Sequence, residues 1–394
     1  MPWKEVSLMS ARSEFLDHAR LPGANITLLA RRFGISRKTA YKWIARQRHG
    51  LSIRDATRTP HSSPRRTPPD LEHRVLELRK QYPTWGGRKL RVLLRDQSPG
   101  TPPPAASTIT AILRRHGQLD GPRAGQPRDW QRFEHPAPND LWQMDFKGHF
   151  ALADGRRCHP LTVLDDHSRF VLALVPCADE RTETVRAALR TAFARYGLPT
   201  RMLMDNGPPW GDPGGQLYTR LAVWLFECGI RVGHGRPYHP QTQGKDERFH
   251  RTLKDELLTR TTFADLADCR PRFADWLTTD NTVRPHESLG LEPPIRRYRF
   301  SSRTFVEPPP PLVFAAGMDI RRVQVGGVLR YRGEQYRVPT AFTHRGLGLS
   351  QPGPADPLVV WFGPHRLGEL DPATRVLVRR RSDESGRAAD GGVG

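Results

Sequence analysis

The apolar pattern of this chain changes period once, near Asp140, and that change constrains the fold more than any other feature. Before it, apolar residues recur at helical spacing; after it, short apolar runs alternate with amphipathic helices. Leu141 to Phe150 predicts a strand, and residues 158–175 predict two more joined by a polar turn. Thr182 to Tyr196 predicts a helix with Val185, Leu189, Ala192 and Phe193 on one face, closed by Gly197 and Pro199. Arg201 to Met204 predicts a short buried strand ending in Asp205, Gln216 to Gly229 a second helix, and Ile230 to Val232 a fifth strand. The order β-β-β-α-β-α-β-α predicts a mixed sheet with helices on its faces. Ligand sites in such sheets favour strand ends, which suits Asp205.

The segment ahead of the sheet is helical and basic. Ile26, Leu28, Leu29, Ala30 and Phe33 form one apolar stripe, and Gly34 breaks it where a positive φ is wanted. Ser36 is a good N-cap for a second helix carrying Thr39, Ala40, Trp43 and Ile44, with Arg37, Lys38, Lys42 and Arg46 on its other face. This pattern predicts a helix-turn-helix whose second helix enters the DNA major groove, with Arg37, Lys38 and Lys42 as contacts. A second helical unit follows: Leu71, Val75 and Leu78; then Leu90 and Leu94 after Trp85-Gly86-Gly87-Arg88-Lys89; then a third helix capped by Ser107. A further helix-turn-helix and a purely structural bundle both fit it.

Charge separates the same regions. Lys+Arg number 62 and Asp+Glu 41, a net charge of +21. Residues 1–130 carry 25 basic and 10 acidic side chains, whereas residues 131–300 carry 24 and 22. A basic front attached to a nearly neutral middle predicts a polyanion grip feeding a separate unit. The 4 Cys lack C-x-x-C spacing, which argues for a reducing compartment and against a zinc finger or disulfide framework. The start lacks a signal-peptide core, and no stretch approaches the ~18 apolar residues of a membrane span. The expectation is a cytoplasmic, nucleoid-associated protein.

Three acids sit in settings suited to metal-dependent phosphodiester chemistry. Asp145 lies in the run Leu-Trp-Gln-Met-Asp-Phe, Asp205 precedes Asn206-Gly207, and Glu247 opens a helix-like stretch after Gly244-Lys245-Asp246. Such chemistry needs an activated oxygen nucleophile and charge held on the attacking and leaving oxygens, which two hard cations about 4 Å apart supply. Those cations want carboxylate ligands. At about 100° per residue, Phe249, Leu253 and Leu257 form a stripe that can pack on the sheet, and Glu247 and Lys254 point together away from it. Arg251 either contacts phosphate or pairs with Glu247. Asp165 and Asp166 are expected in turn or capping roles, Asp246 on a solvated face, and His239 and His250 in structural hydrogen bonds.

Several ordered segments carry a resemblance. They are Trp142-Gln143-Met144-Asp145-Phe146-Lys147, Asp166-His167-Ser168-Arg169, Asp205-Asn206-Gly207, His239 through Arg248, and Asn281-Thr282-Val283-Arg284-Pro285-His286. Over residues 136–300 the chain resembles the DDE transposases of bacterial insertion sequences, whose core is similar to retroviral integrase and has a ribonuclease-H-like fold. The resemblance implies that Asp145, Asp205 and Glu247 are the catalytic, metal-binding residues, holding two Mg²⁺ ions that Mn²⁺ can replace. It implies a homo-oligomer acting on double-stranded DNA: terminal inverted repeats bound and nicked, and the exposed 3′-hydroxyls joined to target DNA. Lys245, Arg251 and Lys254 are candidate DNA contacts. Alternatives are a DNA-binding regulator with an inactive core, or a nuclease without strand transfer.

The expected organisation is therefore multidomain. A helix-turn-helix domain occupies 1–52, a basic linker 53–68, a second helical domain 69–119 and a linker 120–135. The α/β core with its closing helices occupies 136–305, and a Pro-rich linker 306–318. Alternating residues from Val323 to Phe362 predict a small all-β (SH3-like) barrel over 319–375, which Arg321, Arg322, Arg330, Arg332 and Arg337 either place on DNA or merely solvate. A disordered tail over 376–394 is expected to close the chain.

Overall fold

The computed structural model describes residues 8–55, 67–119, 134–211, 218–234, 244–351, 353 and 356–379. The chain divides into two compact units, Met1–Pro68 and Pro69–Gly394. No helix among the described residues is long and apolar enough to cross a membrane.

The first unit holds helices α1 (Leu8–Ala19), α2 (Ile26–Arg32) and α3 (Arg37–Arg48). Ser36 Oγ accepts from the Thr39 backbone N–H at 3.1 Å, and Gly34 turns the chain at φ 63°. Phe15, Leu16, Ala30, Ala40 and Trp43 make its small core. Sequence periodicity had not marked α1, although it supplies Phe15 and Leu16 and lays Arg12 over the Trp43 ring at 4.1 Å. Arg37, Lys38 and Lys42 are exposed on α3.

The second unit opens with α4 (Pro69–Gln81), α5 (Gly87–Gln97) and α6 (Ala106–Arg115), packed around Val75, Leu90, Ile109 and Leu113. The third helix starts two residues earlier than expected. Ala105 stands at its N-cap without a side-chain bond, and Ser107 lies inside the first turn. Gly87 is required here, because a Cβ would stand 2.4 Å from the Ala106 carbonyl oxygen where α5 crosses α6.

The sheet follows: β1 (Leu141–Phe146), β2 (Phe150–Ala151), β3 (Arg157–Asp165), β4 (Val171–Cys177), β5 (Arg201–Met204) and β6 (Arg231–His234). β1, β3 and β4 pair antiparallel, while β5 joins β1 and β6 joins β5 in parallel, giving the expected mixed sheet. Helices α7 (Thr182–Tyr196) and α8 (Arg220–Glu227) share one core with this sheet, including Trp142, Met144, Phe193 and Trp224. A second core joins Leu164, Val171 and Leu174 to Phe249 and Leu253 of α9 (Gly244–Leu253) and Phe273 of α10 (Leu266–Thr282). α9 continues into a π-helical turn, Lys254–Leu258.

Beyond the core, Ser301 donates its backbone N–H to the Tyr196 carbonyl at 3.0 Å, and Phe305 packs on Phe193, so the chain runs back over α7. The all-β segment comprises β7 (Asp319–Arg322), β8 (Val328–Tyr331), β9 (Glu334–Arg337), β10 (Gly346–Ser350), β11 (Leu358–Phe362), β12 (His365–Leu370) and β13 (Leu377–Val378). The expected closed barrel is not formed. The strands make an open sheet, β13-β12-β11-β10-β7, and a separate β8–β9 hairpin. Part of the reason is that its apolar face is covered by the core: Val360, Phe362 and Leu367 share a cluster with Ala222, Val223 and Phe226 of α8. Arg345 and Glu227 pair at 2.7 Å on the same contact. The expected tail also starts later, since Leu377 and Val378 pair with β12; its remainder from residue 380, and the linker residues 56–66 and 120–133, lie outside the described residues.

Candidate active site

Parallel pairing of β1 with β5 builds the site. The register sets Leu141 opposite Arg201, Trp142 opposite Met202 and Gln143 opposite Leu203. Two residues further along, Asp145 comes beside Asp205 at the carboxyl ends of neighbouring strands. Asp205 Oδ1 accepts from the Asn206 backbone N–H at 2.6 Å, and its carbonyl accepts from His234 Nδ1 at 3.0 Å. Trp210 stacks on Phe146 with centroids 5.5 Å apart, folding the segment after Asp205 back onto β1. That fold needs Gly211, where a Cβ would lie 2.1 Å from the Asn206 carbonyl oxygen.

Burial pushes the Asp145 carboxyl up to about 6; the Phe146 N–H opposes this, while the charges of Asp205 and Glu180 add to it. Behind it stands Thr162, fully buried on β3. Its hydroxyl donates to the Asp145 carbonyl at 2.9 Å and lies 2.9 Å from His250 Nε2. The single hydroxyl hydrogen is thus committed, so the hydroxyl accepts from Nε2–H and His250 keeps a bare Nδ1. Burial pushes His250 down to about 4, which keeps the ring neutral at pH 7. Its Nδ1, 3.9 Å from Asp145 Oδ2, is therefore a lone pair facing a carboxyl, not half of an ion pair.

The first turn of α9 differs from the sequence expectation. Lys245, expected on DNA, is only 18% exposed and is ion-paired with Asp166. Asp166 also accepts from Gln143 Nε2 at 2.7 Å and from the His135 backbone N–H at 2.9 Å. Tertiary pairing has taken the ammonium that a solvated helix end would leave for phosphate. Asp246, expected in solvent, is 2% exposed. It belongs to the buried stripe with Phe249, His250 and Leu253. Glu247, Arg251 and Lys254 lie on the exposed side.

Asp145 and Asp205 are thus brought together, with α9 alongside. Among the described residues no three His, Cys, Asp or Glu side chains already form a metal-holding cluster. Asp165 takes a turn role, accepting from Ser168 N–H at 2.8 Å and Asn139 N–H at 2.7 Å. His239 lies outside the described residues.

Sequence reasoning missed Glu256, in the π-helical turn. Its carboxylate accepts from Thr84 Oγ1 at 2.7 Å, Trp85 Nε1 at 3.1 Å and Trp276 Nε1 at 3.3 Å, and pairs with Arg284. Arg88 pairs with Glu287 at 3.0 Å beside it. The Trp85–Lys89 and Arg284–Glu287 segments, both visible in the sequence, meet on this one glutamate. Burial and the nearby Arg284 charge push Lys89 down to about 8.

Parts of the chain are similar to known proteins. Residues 135–240 and 228–294 match integrase core domain families, and residues 39–113 match a homeodomain-like domain. An uncharacterized 39.2 kDa protein of insertion element IS476 from Xanthomonas euvesicatoria is 30% identical over 226 residues, 57% of this chain and 63% of that protein. A 31.7 kDa protein of insertion element IS407 from Burkholderia multivorans is 30% identical over 158 residues, 40% of this chain and 54% of that protein. The chain thus spans less than two thirds of either relative. Among solved structures, the HTLV-2 integrase catalytic core domain in complex with magnesium is similar at 19% identity and a TM-score of 0.33, covering 42% of this chain and 99% of that one. Residues 135–294 thus match an integrase core and residues 39–113 a homeodomain-like domain, and part of the chain is similar to proteins of bacterial insertion elements.

Proposed function

We propose that the chain binds the terminal inverted repeats of its own element, nicks them to expose 3′-hydroxyls, and joins those hydroxyls to target DNA. The observation that carries this reading is the placement of Asp145 beside Asp205 at adjacent strand ends, with α9 packed against the same edge. Asp145, Asp205 and Glu247 are the proposed metal ligands, for two Mg²⁺ ions with Mn²⁺ as a substitute.

Divalent cations fit these residues. The donors are hard carboxylate oxygens, and Asp145 and Asp205 bear like charge on one another. Bound there, such ions supply charge stabilisation for the attacking and leaving oxygens of an in-line displacement. The protein's own residues do the rest. Thr162, itself held by His250, fixes the backbone of Asp145, the Asn206 N–H orients Asp205, and the Lys245–Asp166 pair anchors the first turn of α9. Arg251 and Lys254 are exposed beside Glu247, where they can hold DNA phosphates, and Arg37, Lys38 and Lys42 serve as the groove contacts of α3. Two ends joined to one target call for a homo-oligomer on DNA, acting in the cytoplasm on the nucleoid.

The test uses the full-length chain with labelled duplexes from the DNA flanking its coding region, in Mg²⁺. Nicking followed by strand-joined products is expected. Nicking without joining would leave a nuclease, and end binding without either would leave a regulator. Light scattering of the DNA-bound complex checks the oligomer, and one protomer on two paired ends would exclude it.

A further inference from the structure

Asp246 is a buried acid that none of the roles above uses. It lies on the inner face of α9, four residues before His250, whose ring reaches Asp145 at 3.9 Å. Residues four apart on a helix are neighbours, so Asp246 is on the face turned to β1. Its side chain is 2% exposed, and Oδ1 has no hydrogen-bond partner. Among charged groups, Asp145 bears on it first and Asp166 next, both of like charge. Of the cations nearby, Lys245 is paired with Asp166, and Arg169 pairs through Nη2 with Glu134 at 3.6 Å while its Nη1 makes no hydrogen bond, to Asp246 or to any other group.

A buried carboxylate oxygen without a partner carries the full cost of its desolvation. A neighbouring carboxylate adds to that cost. A hard divalent cation is a single partner that would satisfy the orphan oxygen and remove the repulsion with Asp145 together. We infer that Asp246 is a cation-binding carboxylate of this chain, acting together with Asp145 on the inner side of α9. The inference rests on the proposed transposase reading for the presence of the cation.

The test is thermal unfolding of the full-length, EDTA-treated protein titrated with Mg²⁺ alone and Mn²⁺ alone, without DNA. The wild type is expected to gain stability with cation. Asp246→Asn is expected to raise the half-saturating cation concentration at least ~10-fold, as a lost ligand or direct ligand support does. Asp246→Glu, which keeps the carboxylate, is expected to retain the response. Without cation, Asp246→Asn is expected to unfold no earlier than wild type, because a neutral amide of the same shape replaces a buried acid set among other acids. If Asp246→Asn does not fold, Asp246→Val replaces it in the titration, and failure of both marks Asp246 as structural and overturns the inference. A wild-type response kept by Asp246→Asn but lost by Asp145→Asn overturns this inference alone. No cation response in the wild type overturns it together with the metal-dependent reading on which it rests.

Discussion

His250 Nδ1 stands 3.9 Å from Asp145 Oδ2 with its other nitrogen bonded to Thr162, so a neutral ring is wedged behind the carboxyl at the end of β1. The arrangement places a neutral ring, and no positive charge, beside Asp145. The site therefore keeps its acids unneutralised, which is what a cation-dependent centre requires.

Loss of either strand-end acid should stop chemistry while sparing DNA binding. Asp145→Asn and Asp205→Asn are each expected to lower nicking and joining by at least ~100-fold, since even supporting partners of metal ligands cost ~10–100-fold. Binding of end DNA, measured by fluorescence anisotropy, should stay near wild type. A variant that nicks at the wild-type rate would remove its residue from the proposed set.

The pH dependence separates His250 from Asp145. His250 titrates near 4 in the fold against an ordinary value of 6.5, so as pH falls through that window the unfolded chain binds more protons and stability is lost. Asp145 titrates near 6 against 3.8, so there the folded chain binds more protons and stability declines as pH rises through its window. In EDTA, His250→Asn should therefore lessen the loss of stability on acidification from about 6.5, and Asp145→Asn should lessen the loss on raising pH from about 4 to 6. Urea titrations at pH 4.5, 5.5 and 6.5 read both slopes, and unchanged slopes would refute the assignment.

Glu256 ties α4–α6 to the core. Glu256→Gln leaves Arg284 with Asp280, 3.5 Å away, as its remaining counter-charge, so the cost should fall below the about 3–5 kcal/mol of a buried pair broken outright. Hydrogen exchange should rise in α5 and around Trp276 more than in β1 or β3. Uniform protection across all of these would show that the glutamate does not hold the helical segment in place.

The grip on DNA is electrostatic in origin. Alanine at Arg37, Lys38 and Lys42 should weaken DNA binding and flatten its salt dependence by roughly one unit of logarithmic slope per phosphate contact removed. Alanine at Arg251 and Lys254 should do the same, whereas Lys245→Ala should chiefly disturb α9, because Lys245 is bound to Asp166. An unchanged slope after the α3 substitutions would put the contacts elsewhere.

Local patterns determined much of this protein. The apolar faces of Thr182–Tyr196 and Arg201–Met204 and the Ser36 cap are set by residues within a few positions of each other, so the sequence alone delimits those elements. Asp145 and Asp205 were legible as candidates because each ends an apolar strand-like run. The burial of Asp246 was also legible in part: it stands three residues before Phe249 and seven before Leu253, on the stripe expected to face the sheet. Its neighbour Glu247 drew the reading toward solvent instead. What tertiary structure alone decided depends on partners far apart in the chain. Lys245 is taken by Asp166, 79 residues away, and Glu256 by Thr84, 172 residues away. The β-strands near the end were visible by alternation, but their failure to close was not. Closure depends on which edges pair and on what covers the apolar face, and that cover comes from α8, more than a hundred residues earlier, by packing that leaves no local trace in either segment.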